Sequence, residues 1–430
     1  MKKALKILGV TIVSIIFFFL FLELFFRMFV SVRPVENMGW FWKVPDPITG
    51  WSQLPGAAGR SFNEVYEYNV AVKINELGLR SPETIGYEKP EGVYRIIVLG
   101  DSFTEAIQVE LADTYGQQLA RILMDEGYQV EVINAGTGSW GNDQELLWLR
   151  EEGYKYHPDL IILQIFARND FENNYQPFES VRLGANHKPY FHLVDGELKL
   201  ELFPYDPEKA PPVTESEKAP VPPPGPLTPV GEWLHRHSHF YRWFDPRIRL
   251  MAPHFAATLS RWGVIKPGEE IQVVSMQDKS AMPIVFECYR KHYDDEWEKA
   301  VMLTNAILAE MKSEAEAMGA DFVAMLANAP EEVDPRFWKR MQRQYPVLQS
   351  PEYDVNSPED HMLAVLAAND IPALDLRPAF RKEIAEHKVL LHYPVNGHWN
   401  PKGHRLAAQE LARFLAELGL PPQEYRATPQ

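Results

Sequence analysis

The chain has 430 residues, 46% of them hydrophobic, enough for one large domain with insertions or for two domains around a sizeable core. Its 43 lysines and arginines face 59 aspartates and glutamates, and this balance of −16 argues against a nucleic-acid partner and against electrostatic docking on anionic lipid. One cysteine, Cys288, excludes a disulfide framework, a cysteine-based zinc site and an iron–sulfur cluster within a single chain.

The N-terminus opens Met1-Lys2-Lys3-Ala4-Leu5-Lys6 and enters an uncharged apolar run from Ile7 to Leu22. The apolar character continues to Val30, interrupted by Glu23 and Arg27, whose i,i+4 spacing lets them pair on one helix face. The stretch has the length of a bilayer-spanning helix, roughly 20 residues. A cleaved signal peptide would need a shorter apolar core and a small-x-small exit, whereas the exit here is Phe25-Phe26-Arg27-Met28-Phe29. Residues 1–30 are therefore expected to be an uncleaved anchor in membrane lipid. The flanking lysines hold its tip in the cytoplasm and leave the rest periplasmic or extracellular.

Residues 31–90 are aromatic and punctuated by glycine and proline, with Trp40, Trp42 and Trp51. Tyr66, Tyr68, Val70 and Val72 alternate as on one face of a strand, which predicts a strand-rich juxtamembrane cap. A regular α/β rhythm starts at Tyr94. Arg95 to Gly100, Gln129 to Asn134 and Asp159 to Phe166 read as buried strands, separated by helices at about 115–126 and 144–156. Strands alternating with helices of this length form a parallel, doubly wound sheet. One domain over residues 91–425 is expected, interrupted by an insertion at 171–290. Within the insertion, Pro207 to Pro229 cannot bury a core, and the aromatic, basic stretch Trp233 to Leu259 reads as helical. The rhythm resumes with helices at 296–316, 358–368 and 401–418 and strands at 320–326 and 372–376.

Chemistry concentrates in four segments, three of them at strand ends, where open parallel sheets hold their ligands. They are Gly100-Asp101-Ser102-Phe103-Thr104, Asn134 to Gly141, Arg168-Asn169-Asp170, and His392 to His404. A serine hydroxyl needs a nearby base, and His398, in a glycine-containing loop, is the candidate for Ser102. Acyl transfer also needs donors for a developing oxyanion. The backbone N–H of Ser102, an N–H of the Gly136 to Gly141 loop, and the Asn169 amide can supply them.

Taken in order, these segments resemble the four blocks of the SGNH (GDSL-like) hydrolases over about 94–170 and 293–418. Gly-Asp-Ser-Phe and Gly-His-Trp-Asn-Pro-Lys-Gly-His are the most specific elements. The resemblance implies a flavodoxin-like three-layer α/β/α sandwich, ester chemistry without a cofactor or metal, Ser102 as nucleophile, His398 as base and Asn169 as oxyanion donor. The loop donor is Gly138 first and Ser139 second, because the family's glycine position is occupied by Ser139. The family's aspartate two residues before the histidine is replaced by Asn396. A backbone carbonyl could orient His398 instead, leaving a Ser–His dyad. Another carboxylate could substitute, or the site could be weakened, since the wrong imidazole tautomer is costly.

The lesser signals have plainer readings. His235, His237 and His239 would share a face only on a strand, and their surroundings are helical. Trp233, Phe240, Tyr241, Trp243 and Phe244 read as the core side of a small helical insertion, with a lid or interfacial patch as the alternative. Asp170, Glu172, Asn173 and Asn174 lack EF-hand spacing and read as a solvated turn. Asp101 and Asp143 read as loop-stabilising acceptors. The sequence thus predicts a membrane-anchored, extracytoplasmic serine esterase or acyltransferase acting on acyl, chiefly O-acetyl, esters of cell-surface or exported carbohydrate. The alternatives are a lipid or thioester hydrolase and a weakened carbohydrate-binding or scaffold module.

Overall fold

A computed structural model describes residues 2–29, 42–62, 67–183, 187–203, 225–251, 255, 258–260, 262–265 and 282–427. Trp40, Tyr66 and most of the proline-rich stretch from Pro207 lie outside these residues. Two compact units result. One comprises Met1–Asn37, Asn63–Glu67 and Lys218–Asp278, and the other Met38–Phe62, Tyr68–Glu217 and Lys279–Gln430.

The chain begins with helix α1 (Lys2–Phe29). Two antiparallel hairpins follow, β1 (Lys43–Asp46) with β2 (Gly50–Gln53) and β3 (Ala58–Phe62) with β4 (Asn69–Lys73). The α/β rhythm then runs β5 (Tyr94–Leu99), α2 (Ser102–Glu105), α3 (Tyr115–Asp125), β6 (Val130–Asn134), α4 (Asn142–Glu151), β7 (Leu160–Ile165), α5 (Ala167–Asn174) and α6 (Gln176–Leu183). A hairpin of β8 (Tyr190–Val194) and β9 (Glu197–Glu201) precedes α7 (Thr228–His237) and α8 (His239–Met251). The last part holds α9 (Asp295–Ala317), β10 (Asp321–Leu326), α10 (Pro330–Val333), α11 (Pro335–Gln344), α12 (Ser357–Ala368), β11 (Ala373–Asp375), α13 (Arg377–His387) and α14 (Pro401–Glu417).

The central sheet is parallel throughout, in the order β11-β10-β7-β5-β6. Renumbered along the chain this is the flavodoxin-like order, with its switch point between β5 and β7. Because side chains alternate along a strand, one run of apolar residues feeds two cores. Ile97, Leu99, Ile161 and Leu163 pack with Leu146 of α4 and Ile307 of α9. Ile96, Val98, Leu160 and Ile162 pack with Leu119 of α3, Phe380 of α13 and Leu411 of α14. Every residue of β5 and β7 is buried, as continuous hydrophobic strands require.

The elements match the expected rhythm with three differences. The helix expected over 144–156 is α4 followed by a separate 3₁₀ turn at Gly153–Tyr156. Residues 171–201, expected at the head of an insertion, fold within the second unit as the end of α5, α6 and the β8–β9 hairpin. Asp170, Glu172, Asn173 and Asn174 are buried on α5, which corrects the expectation of a solvated turn. Two of them have partners on other elements. Asn174 donates to Asn142 Oδ1 and Thr304 Oγ1, both at 3.0 Å, and Lys188 Nζ donates to the Asn173 carbonyl at 2.8 Å.

In the first unit, Glu23 and Arg27 pair at 2.7 Å as their spacing predicts. Glu23 also accepts from Ser238 Oγ and from the N–H groups of His239 and Phe240, capping the start of α8. Arg27 donates to the His237 carbonyl, and Phe26 packs on Phe240 and Trp243 with ring centroids 5.4 and 4.8 Å away. From Trp233 to Met251 the stretch is helical as expected, in α7 and α8. Tyr241 and Ile265 are buried in a core of its own, and Trp233 is exposed. Several side chains of α1 are outside the described residues. Among the described residues, no helix is long and apolar enough to cross a membrane.

Candidate active site

The site assembles at the carboxyl ends of β5 and β7. After Leu99 the backbone turns at Gly100 (φ +155°), where a Cβ would lie 2.3 Å from Thr104 Oγ1 and 2.4 Å from Gln164 Oε1, so only glycine fits. Asp101 is the N-cap of α2 and accepts the Phe103 N–H at 2.9 Å. Ser102 is therefore the first residue of a one-turn helix, its hydroxyl directed beyond the sheet.

His398 arrives on the loop before α14. Tyr393 N–H donates to the His398 carbonyl and Gly397 N–H to the Tyr393 carbonyl, closing a tight turn. Asn400 then caps α14, accepting the N–H groups of Lys402 and Gly403, with Pro401 in the first turn. Most of the distinctive His-Trp-Asn-Pro-Lys-Gly-His string thus fixes one loop and one helix start. Trp399 is fully buried against Phe103 and Phe380, and His404 accepts the Tyr115 N–H.

Within this frame His398 Nε2 lies 2.7 Å from Ser102 Oγ, and Nδ1 lies 2.8 Å from Asn396 Oδ1. An amide oxygen only accepts, so Nδ1 carries the proton and Nε2 is left to accept from the serine hydroxyl. The amide itself is held the right way round. Oδ1 also receives the His398 N–H at 3.4 Å, and Nδ2 donates to the Tyr68 hydroxyl at 3.4 Å. The orienting group is thus Asn396 rather than another carboxylate, and the arrangement is a Ser–His–Asn chain of contacts rather than a bare dyad. Burial depresses the His398 imidazole to about 4, against an opposing hydrogen bond that the ring donates to the Asn396 backbone, so the ring is neutral at pH 7.

These residues open on a cavity of about 460 Å³. Phe103, Phe166, Pro283, Ile284 and Val285 form its apolar walls, and Ser102, Asn169, Glu172, Asn396 and His398 supply polar atoms. Arg168 also lines it, but its guanidinium pairs with Glu331 at 3.0 Å and stacks over Phe286 at 5.0 Å. Asn169 sits at the start of α5 beside Asp101, with which its amide hydrogen-bonds. Burial raises Asp101 to about 6 and raises Glu145 and Asp170 well above the usual carboxylate range.

Of the residues singled out by sequence, Ser102, Asn169, Asn396 and His398 meet at this cavity, while Gly138 and Ser139 are not among its lining residues. Among the described residues no group of three or more histidine, cysteine or acidic side chains is placed to hold a metal ion. Sequence reasoning does not find the wall at Pro283–Val285, which follows a part of the insertion outside the described residues and carries no motif. Tyr68 was read only as a strand residue, and its bond to Asn396 spans 328 positions.

Residues 289–430 match the family described as SGNH hydrolase-like domain, acetyltransferase AlgX. No curated protein matches the chain. Solved structures similar to it include an acetyl xylan esterase, AlAXEase, with 13% identity, covering 74% of this chain and 97% of that one at a TM-score of 0.34. Another is the lipase/acylhydrolase from Enterococcus faecalis, with 12% identity, 76% and 96% coverage and a TM-score of 0.35. A third is the acetylxylan esterase Axe2 from Geobacillus stearothermophilus, with 12% identity, 75% and 94% coverage and a TM-score of 0.33.

Proposed function

From the match of residues 289–430 to an SGNH hydrolase-like domain, we propose that the chain is a serine esterase or acyltransferase for short acyl groups, chiefly acetyl, on carbohydrate. The observation that carries this reading is the pair of contacts at His398, 2.7 Å to Ser102 Oγ and 2.8 Å to Asn396 Oδ1.

Ser102 Oγ attacks the ester carbonyl as His398 Nε2 takes its proton, and Asn396 keeps the far nitrogen protonated. The negative charge on the former carbonyl oxygen is met by the Ser102 N–H, the Asn169 amide and an N–H from Gly138 or Ser139. The imidazolium then protonates the leaving alcohol, and water or a sugar hydroxyl releases the acyl group by the reverse steps. No metal or cofactor enters the scheme.

Labelling with a fluorophosphonate probe tests the nucleophile. The wild-type protein is expected to label, and Ser102→Ala not to. Equal labelling of both would sink the assignment. His398→Ala is expected to lower kcat by about 10²–10⁴. Acetyl is expected to be hydrolysed in preference to long-chain p-nitrophenyl esters, and the opposite preference would favour a lipid or thioester hydrolase instead.

The same proposal places residues 1–30 as an uncleaved anchor in membrane lipid, with the hydrolase outside the cytoplasm. Its support is the apolar run from Ile7 to Leu22 in the sequence. Alkaline extraction of membranes should leave the full chain in the pellet, and release into the supernatant would refute the anchor.

A further inference from the structure

The geometry points to Lys43 and Trp51 as positioning residues for the oxyanion-binding loop, acting through the Gly138–Ser139 peptide. This rests on the acyl-transfer reading proposed for Ser102.

The β1–β2 hairpin lies over the loop that follows β6, and it grips one carbonyl twice. Lys43 Nζ donates to the Gly138 oxygen at 2.6 Å and Trp51 Nε1 donates to the same oxygen at 3.2 Å. Both side chains are buried, Lys43 at 6% exposure and Trp51 at 5%. In a trans peptide the C=O and the following N–H point in opposite directions. Holding the Gly138 oxygen toward the hairpin therefore turns the Ser139 N–H away from it.

Two further observations concern the same peptide. Ser139 has φ +67°, a left-handed conformation that a serine adopts only where its surroundings impose it. Gly138 has no room for a side chain, since a Cβ there would lie 2.4 Å from Glu105 Oε2 and 3.0 Å from Lys43 Nζ. The hairpin thus supplies the constraint that the strained residue needs. On this reading Ser139, whose N–H is turned from the hairpin, is the loop's oxyanion donor rather than Gly138. The ammonium also polarises the peptide, which strengthens the Ser139 N–H as a donor where negative charge develops.

The test uses the full chain and p-nitrophenyl acetate. Lys43→Met removes the charge and the donor while keeping most of the volume. Its kcat is expected to fall about ten- to a hundredfold with KM within about twofold, because loss of a whole oxyanion donor costs about 10²–10³. Lys43→Arg, which keeps charge and donor, is expected to recover most of that loss. Trp51→Phe, which removes only the N–H, should lower kcat several-fold. Unfolding midpoints identify which variants are folded. A folded Lys43→Met with kcat within twofold of wild type overturns the inference. So does a parallel fall in Lys43→Arg and Lys43→Met. If Lys43→Met does not fold, Trp51→Phe decides alone, and unchanged kcat overturns. Absence of fluorophosphonate labelling in the wild type would instead remove the acyl-transfer reading on which the inference depends.

Discussion

At the scale of single residues, the unusual member of the site is Asn396. An aspartate there would both orient the imidazole and stabilise the imidazolium, whereas asparagine only orients it. The structure is consistent with that division, since Asn396 fixes the Nδ1–H tautomer while burial keeps the imidazole at about 4. A base works only when neutral, so kcat/KM is expected to stay level from neutral pH down to about 5. It should then fall through a midpoint near 4 rather than near the ordinary histidine value of about 6.5. Asn396→Asp should raise that midpoint, because a carboxylate beside Nδ1 favours the charged ring. Asn396→Ala should leave the midpoint low and cut kcat by about tenfold or more, because the tautomer is no longer held. A pH–rate profile of the three proteins checks both statements, and an acid limb that does not move in Asn396→Asp would contradict the first.

At the scale of elements, buried ion pairs decide how the additions to the sheet are fastened. Lys188, fully buried before β8, bonds Asp143 of α4 at 2.9 Å, Glu179 of α6 at 2.8 Å and the Asn173 carbonyl of α5 at 2.8 Å. Removing the cation leaves two carboxylates buried with their main partner gone, which costs about 3–5 kcal/mol. Lys188→Met is therefore expected to lower the thermal unfolding midpoint markedly, and a shift of only a degree or two would refute that. In the first unit, Glu23 serves α8 in the same way by capping its N-terminus. Glu23→Ala should cost about 1 kcal/mol, the value of a cap, and hasten amide exchange at the start of α8. The aromatic stretch from Trp233 therefore answers to α1, with Phe26 packed between Phe240 and Trp243.

At the scale of the whole molecule, two sets of buried titratable groups pull stability in opposite directions. Burial depresses His392 and His398 to about 4 and His404 to about 3. Their contribution is full above about 6.5, the unfolded value, and is lost as pH falls through 4. Asp101 is raised to about 6, Glu359 to about 7, and Glu145, Asp170 and Glu332 well above their ordinary range, all through burial first. Their contribution is full below about 4 and is lost as pH rises through those folded values. Above pH 6.5 the histidine terms no longer change, so the carboxyls alone set the slope. The unfolding midpoint is expected to fall between pH 6.5 and 8.5, and a rise over that interval would contradict the assignment of these carboxyls as protonated in the fold.

What the sequence determined by itself is whatever is local or periodic. Apolar-rich runs gave β5, β6 and β7, helical spacing gave most of the helices between them, and Gly-Asp-Ser together with His-Trp-Asn-Pro marked two strand or helix junctions. These follow from near-neighbour backbone chemistry, and so the parallel α/β rhythm and the candidates Ser102, Asn169 and His398 were legible in advance. Only the tertiary structure decided the rest, because it depends on partners far apart in the chain. Asn396 was recognised as a departure, but its value as an orienting group depends on Tyr68, 328 positions away. Asn174 looked solvated because its partners, Asn142 and Thr304, lie on other elements. The choice of Ser139 over Gly138, proposed above, turns on a carbonyl gripped by Lys43 and Trp51 from a hairpin nearly a hundred residues earlier. Composition and periodicity carry no record of which distant side chain will satisfy a buried polar group, and in this protein those pairings set the geometry of the site.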